Sequence, residues 1–412
     1  ANGAWGASIE PISNSRLCRY RLSGEIVEGD AKRAAAVLPQ RPSTFGHTTM
    51  IGPVLCLRSP GGSWSEGIAL AELFLERGIA TAVDDGDTCL SACAVAFIGG
   101  RTIEDSGSMT GVPTRILHVG GKLGFHAPSL QVSGGTYDAA TVNAAYLAAV
   151  RALGRFAEFG ARASNQEVRL SLVSALLKRG PDEFEYVDTV GKAARWRILL
   201  TGYSPPSRTR LGLFSACQSE IIERLDVSVD ELGAAIAARS PGEVLANAKA
   251  KMESHFGEQV EIVEMLLGNW SEADVVCKAH FSQTGSSDEV FPASERTSVV
   301  VDTGEPRPKI LPPWRAYPPS MALSMLRAGA QPLPPGAPTA TRSEFSMLRG
   351  MAYRWSGQPA LTVTSIEECR SRCSADHTCR AFTYFNNRRL CRLMETATEL
   401  VRNDDADSGA KR

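Results

Sequence analysis

Long hydrophobic runs are missing from this 412-residue chain: it holds no stretch of eighteen apolar residues, which argues against a membrane-spanning helix. An excess of one charge is missing too. Lys and Arg number 44 against 45 Asp and Glu, so a nucleic-acid footprint or a polybasic membrane surface is not expected. Aromatic residues make up only 7% and form no platform on which bases could stack. The six histidines are scattered. There is no phosphate-cradling P-loop, no dinucleotide fingerprint, no H-E-x-x-H and no quartet of paired C-x-x-C spacing, so neither a cofactor nor a metal is expected.

What is present fits a globular protein of two or three domains, with 43% apolar and 22% charged residues. Ten cysteines form an even set, and four of them (Cys369, Cys373, Cys379 and Cys391) crowd into the last fifty residues. A module that small needs covalent staples, and staples of this kind persist in an oxidising compartment. The chain opens on small residues, Ala1 to Ala4, as a chain does after signal-peptide removal. The expectation is a periplasmic or extracellular protein.

Residues 15–203 alternate between short apolar runs and amphipathic stretches, a βαβ pattern that predicts an α/β domain with a mostly parallel sheet. Residues 208–285 read as a helical region bracketed by Cys217 and Cys277, which have no nearer partners within it. Residues 300–343 carry a dense proline set and read as an extended linker. A cysteine-rich module at 344–400 and a polar, disordered tail at 401–412 complete the expected organisation.

Hydrolysis by serine needs a hydroxyl nucleophile, a base within hydrogen-bond reach and donors aimed at the developing oxyanion. The first domain offers each of them. Ser59-Pro60-Gly61-Gly62 follows an apolar strand, and its glycines leave backbone N–H groups unobstructed. Cys89-Leu90-Ser91-Ala92-Cys93 opens a small-residue helix, with Ser91 near its N-terminus. Gly124-Phe125-His126-Ala127-Pro128 puts a histidine at a strand end. This order of motifs resembles the Clp protease branch of the ClpP/crotonase superfamily, and the interval from Gly62 to Ser91 agrees with it. The resemblance implies that Ser91 is the nucleophile, His126 the base, and the N–H groups of Gly62 and Ala92 the oxyanion donors.

The serine-to-histidine interval is longer than in that family, through a glycine-rich insertion at about 101–122. The family's acid precedes a helix that here corresponds to Gly191–Leu199, with Arg197 where a glycine is expected. An ungapped reading gives Glu185, with Asp182, Glu183 and Asp188 as competitors for orienting the imidazole. A related branch uses a lysine base; Lys122 lies in the corresponding stretch but among glycines, and His118 lies outside the H-x-P context. Cys89 and Cys93 flank Ser91. A bond between them, from either of them to Cys56, or from Cys18 to Cys56 is open on the sequence.

Cys369-x3-Cys373-x5-Cys379-x11-Cys391, with Ala381-Phe382-Thr383-Tyr384 before the last cysteine, resembles a PAN/Apple domain. The resemblance implies the pairs Cys373–Cys379 and Cys369–Cys391 and a protein or carbohydrate ligand. The functional expectation is an exported serine hydrolase, a peptidase acting on peptide or protein substrates and tethered through the C-terminal module. The alternative is a binding or assembly protein that keeps both folds without catalysis, and a crotonase-like acyl-CoA enzyme is a distant third. Superfamily members often form rings or stacks, so a homo-oligomer is among the expectations.

Overall fold

The computed structural model describes residues 6–13, 15–40, 53–103, 111–128, 135–161, 168–180, 183–255, 258–270, 273–282, 298–304, 308–327, 345–353, 361–363, 365–375, 379–394 and 400–411. The chain forms two compact units, residues 1–331 and 332–412. The first is mixed α/β. Its main sheet has six strands in the order Ser8–Pro11, Tyr20–Ser23, Val54–Arg58, Ala80–Val83, Arg115–His118 and Leu199–Thr201. Every pairing after the first is parallel. Burial on both faces explains why Val54–Arg58 and Ala80–Val83 read as unbroken apolar runs.

Helix Ala92–Ile98 is fully buried along its whole length, as a helix without a polar face must be. Helix Trp64–Arg77 packs against it and buries Ile68, Leu70, Ala71 and Phe74. A second, three-stranded sheet runs Glu185–Tyr186, Lys122–Phe125, Thr88–Leu90. The expected insertion at 101–122 is only partly that. It holds a hairpin, Arg101–Ile103 with Gly111–Pro113, and then Arg115–His118, a strand inside the main sheet. Two apolar residues, Ile116 and Leu117, between polar neighbours are too short a signal to be read as a core strand.

The expected helical region at 208–285 is a helix-on-sheet layer. Helix Arg210–Leu225 and two short helices, Val229–Ala235 and Pro241–Ala246, precede a five-stranded antiparallel sheet built from Lys249–His255, Glu258–Trp270, Ala273–Ser282, Ser298–Asp302 and Lys309–Leu311. Glu, Met and Leu favour a helix at 258–267, but β-branched Val260, Ile262 and Val263 and an inward set Val263, Met265 and Leu267 suit a pleated ladder. That inward face buries Leu213, Phe214 and Ile221 of the long helix, and Cys217 bonds Cys277 across the layer.

Prolines do not make residues 308–327 a linker. Proline lacks an N–H and fixes φ, which bars a long helix but suits the start of a 3-10 turn. The turns Pro313–Ala316 and Leu323–Leu326 bury Trp314, Leu323 and Leu326 in the main core. The segment is also strapped down by backbone bonds, Val190 N to Met321 O, Gly191 N to Pro319 O, Leu323 N to Asp188 O and Ser204 N to Leu326 O.

The second unit is a five-stranded antiparallel sheet ordered Phe345–Tyr353, Leu400–Lys411, Ala381–Phe385, Leu390–Met394, Leu361–Thr362, with helix Ile366–Ala375 against it. The tail expected to be disordered is an interior strand, paired on both edges. Its small residues Ala406 and Ser408 are buried, and Ser408 Oγ lies 2.8 Å from Thr383 Oγ1. Cys369 pairs with Cys391 and Cys373 with Cys379, so four half-cystines join Phe382 and Tyr384 in a small core.

Candidate active site

Two neighbouring chain reversals make the site. Strand Thr88–Leu90 runs parallel to Lys122–Phe125, with Leu90 opposite Gly124. The residues just beyond that register, Ser91 and His126, therefore leave adjacent strand ends together. Ser91 N–H donates to Gly124 O at 3.0 Å, and Ser91 Oγ stands 2.7 Å from His126 Nε2. His126 is 6% exposed, and the Phe184 ring meets it edge to face at 4.9 Å between centroids.

Ser91 has φ 56° and ψ −124°, a region that a residue with a Cβ rarely occupies. Such a conformation costs about 1–3 kcal/mol and persists only where the surroundings impose it. The sharp turn lifts the hydroxyl out of the helix it precedes. Ser91 is the N-cap of helix Ala92–Ile98, yet its side chain makes no capping bond; the hydroxyl is spent on His126.

The Ser59–Gly62 loop is bridged to the same strand, with Ser59 N donating to Thr88 O and Leu90 N to Ser59 O. Gly61 and Gly62 are there because nothing larger fits. A Cβ on Gly61 would lie 2.6 Å from Ser91 Cβ, and one on Gly62 would lie 2.1 Å from Ile26 O; their φ values are 106° and 135°. Ala92 opens the helix, so its N–H has no intrahelical acceptor. The Gly62 N–H is not used by the bridge to Ile26, whose bonds run from Ile26 N to Gly61 O and from Ser63 N to Ile26 O. Gly61 is the glycine that approaches the serine turn, and the neighbours of Gly62 are backbone atoms of Ile26.

Glu185 is not on His126. It pairs in the ladder with Phe125, but its carboxylate takes Arg179 Nε at 3.0 Å and Lys192 Nζ at 2.5 Å. Burial pushes the Glu185 carboxyl up, and the bonds and charges of Lys192 and Arg179 outweigh that and hold it below the ordinary carboxylate value. The sequence reading of Glu185 as the orienting acid does not show that two cations, Lys192 and Arg179, claim it. Asp188 ion-pairs Lys192, Glu183 is exposed, and Asp182 lies outside the described residues. In any reaction that Ser91 and His126 catalyse, exchanging Glu185 for Gln should therefore leave kcat within about threefold, where loss of a triad acid costs about 10^4-fold. It should also remove a stabilising term that is present above the ordinary carboxylate pKa and lost as pH falls through the depressed one; urea midpoints between pH 7 and 4 would show this.

Arg197 has φ 55°, just past helix Val190–Arg195, where glycine is the usual residue. Lys122 stacks over Tyr186, with its Nζ 5.2 Å from the ring, and takes no part in the pair. His118 accepts from Gly120 N–H at Nδ1, away from Ser91. Cys89 bonds Cys93 across the serine turn, and Cys18 bonds Cys56. No motif in the sequence marks Phe184 as the ring packed on His126.

Among the described residues no three His, Cys, Asp or Glu side chains converge to hold a metal ion, and no helix is long and apolar enough to cross a membrane. Residues 345–411 match the PAN domain family, which suggests a protein- or carbohydrate-binding module. The match extends through the final strand, Leu400–Lys411. No curated protein matches the chain.

Proposed function

We propose that residues 15–203 form a Clp-like serine hydrolase domain, that the protein is a peptidase, and that the PAN domain tethers it to a protein or glycan. The Ser91 Oγ–His126 Nε2 contact of 2.7 Å, held on a strained turn, carries this reading. In it, His126 removes the Ser91 proton as the hydroxyl attacks the substrate carbonyl. The N–H groups of Gly62 and Ala92 receive the oxyanion, and His126 returns the proton to the leaving amine. Two further observations support the resemblance. Parallel strands deliver the serine and the histidine together, and Arg197 holds a backbone conformation that suits the glycine expected there. Five disulfides, with no free cysteine, are consistent with work outside the reducing cytoplasm.

A fluorophosphonate probe tests the proposal. It should label the folded protein once, on the peptide that carries Ser91, and labelling should vanish in Ser91→Ala. No labelling of folded protein would sink the hydrolase reading. The competing reading, a binding protein without catalysis, draws on the engagement of Glu185 by Lys192 and Arg179, and predicts ligand capture that is indifferent to Ser91→Ala.

A further inference from the structure

The Cys89–Cys93 disulfide closes over the one turn whose geometry the chemistry needs. Cys89 ends two residues before Ser91 in strand Thr88–Leu90, and Cys93 lies two residues after it in the first turn of the buried helix. A nucleophile elbow ordinarily carries small residues at both positions, as in G-x-S-x-G, because a sharp turn leaves no room for side chains. Here both positions hold cysteine and the two side chains share one bond, with neither residue exposed to solvent. The turn needs an outside constraint. Ser91 is held at positive φ and makes no capping bond, because its hydroxyl is turned to His126. The remaining ties are Ser91 N to Gly124 O, Val95 N to Ser91 O and the close approach of Gly61.

The geometry points to the Cys89–Cys93 disulfide as the positioning element that keeps Ser91 in attack geometry on His126. This rests on the reading of Ser91 as the nucleophile. Without the bond, the N-cap serine relaxes toward the ordinary cap conformation and swings its hydroxyl to the helix N–H groups, away from the base. Hydrolysis is then withheld until the bond is made, which ties activity to an oxidising compartment. Reduction by a dithiol supplies two electrons and two protons, converts the cystine to two thiols, and closes the reagent to its own cyclic disulfide.

The experiment compares the full-length wild type, Cys89→Ala with Cys93→Ala, and Cys18→Ala with Cys56→Ala. Loop closure predicts that the Cys18–Cys56 bond, spanning 38 residues, stabilises more than the Cys89–Cys93 bond, spanning four. The proposal predicts the opposite order for activity. Loss of Cys89–Cys93 should cut kcat and the fluorophosphonate rate tenfold or more with KM within twofold, and loss of Cys18–Cys56 should leave kcat within twofold. Wild type unfolded and refolded in dithiothreitol serves as a second arm if the alanine pair does not fold, and reoxidation should restore its rate. A folded protein without the Cys89–Cys93 bond that keeps kcat within twofold overturns the proposal. If oxidised wild type is itself unlabelled, the hydrolase reading fails, and the 15N shifts of His126 decide the positioning claim separately. A change of Nε2 shift on loss of the bond upholds it, and unchanged shifts overturn it.

Discussion

Exchanging Ser91 for alanine is expected to lower kcat by about 10^6-fold while leaving the fold intact. Alanine keeps the Cβ, so the backbone strain at φ 56° and the packing against Gly61 stay as they are. What disappears is the atom that stands 2.7 Å from His126 Nε2. His126→Ala should cost nearly as much, and the two together little more than either alone, because a nucleophile and its base fail as a unit. The residual rate over water, about 10^3- to 10^4-fold, would belong to the donors at Gly62 and Ala92 and to substrate binding. Ser91→Gly separates strain from chemistry. It should be as inactive as the alanine variant but more stable by about 1 kcal/mol or more, since glycine accepts positive φ. Hydrolysis of a peptide-ester substrate and urea midpoints read both effects. A folded Ser91→Ala protein within tenfold of the wild-type rate would remove Ser91 from the mechanism.

The meeting of Ser91 with His126 was legible because the parts of the candidate site are short, local and at fixed places along alternating strands and helices. Gly61-Gly62, Ser91-Ala92 and His126 each sit at a strand end, where a parallel register carries them together without help from distant residues. The orientation of the imidazole was not legible. Glu185 is three-dimensionally close, one ladder step from His126 along the pairing with Phe125, but which charge a buried carboxylate faces depends on Arg179 and Lys192 in other elements. The same difficulty hid the sheet at 249–311 and the final strand. A polar run such as Asp404–Ser408 reads as solvated tail, yet its alternate small residues fill an inner face once Phe345–Tyr353 and Ala381–Phe385 stand on either side. Proline density misled for a similar reason: it reports which conformations are barred, not whether Trp314 finds a core.

Trp314 brings with it the second large effect. The next residue, Arg315, is 5% exposed, bonds Glu223 through Nη2, donates to Ser219 O at 3.1 Å, and has Glu220 close by, itself bonded to Lys309. Removing the guanidinium by Arg315→Met keeps most of the volume but takes one of two arginines from a buried carboxylate, leaving Glu223 only the bond from Arg197 Nε at 3.1 Å, which should cost about 3 kcal/mol of stability at neutral pH. The pH dependence identifies the cause. Burial pushes Glu223 up, but Arg315, Arg197 and Lys309 outweigh it and hold the group below its ordinary value. Its contribution is therefore present above the ordinary carboxylate pKa and lost as pH falls through the depressed one. Glu220 is raised, by burial and then by repulsion from Glu223, so its contribution is present at low pH and lost as pH rises through its raised pKa. Without Arg315 the largest downward pull on Glu223 is gone, and Arg197 and Lys309 hold the group down less firmly against burial. Protonating the pair then costs less than in the wild type, so the stability deficit of the variant should narrow as pH falls from 7 toward 5. Adding Glu223→Gln should restore most of the loss at pH 7 and flatten that slope. Urea midpoints at three pH values measure it, and a loss that is the same at pH 5 and pH 7 would assign the defect to packing around Trp314 instead of to the lost ion pair.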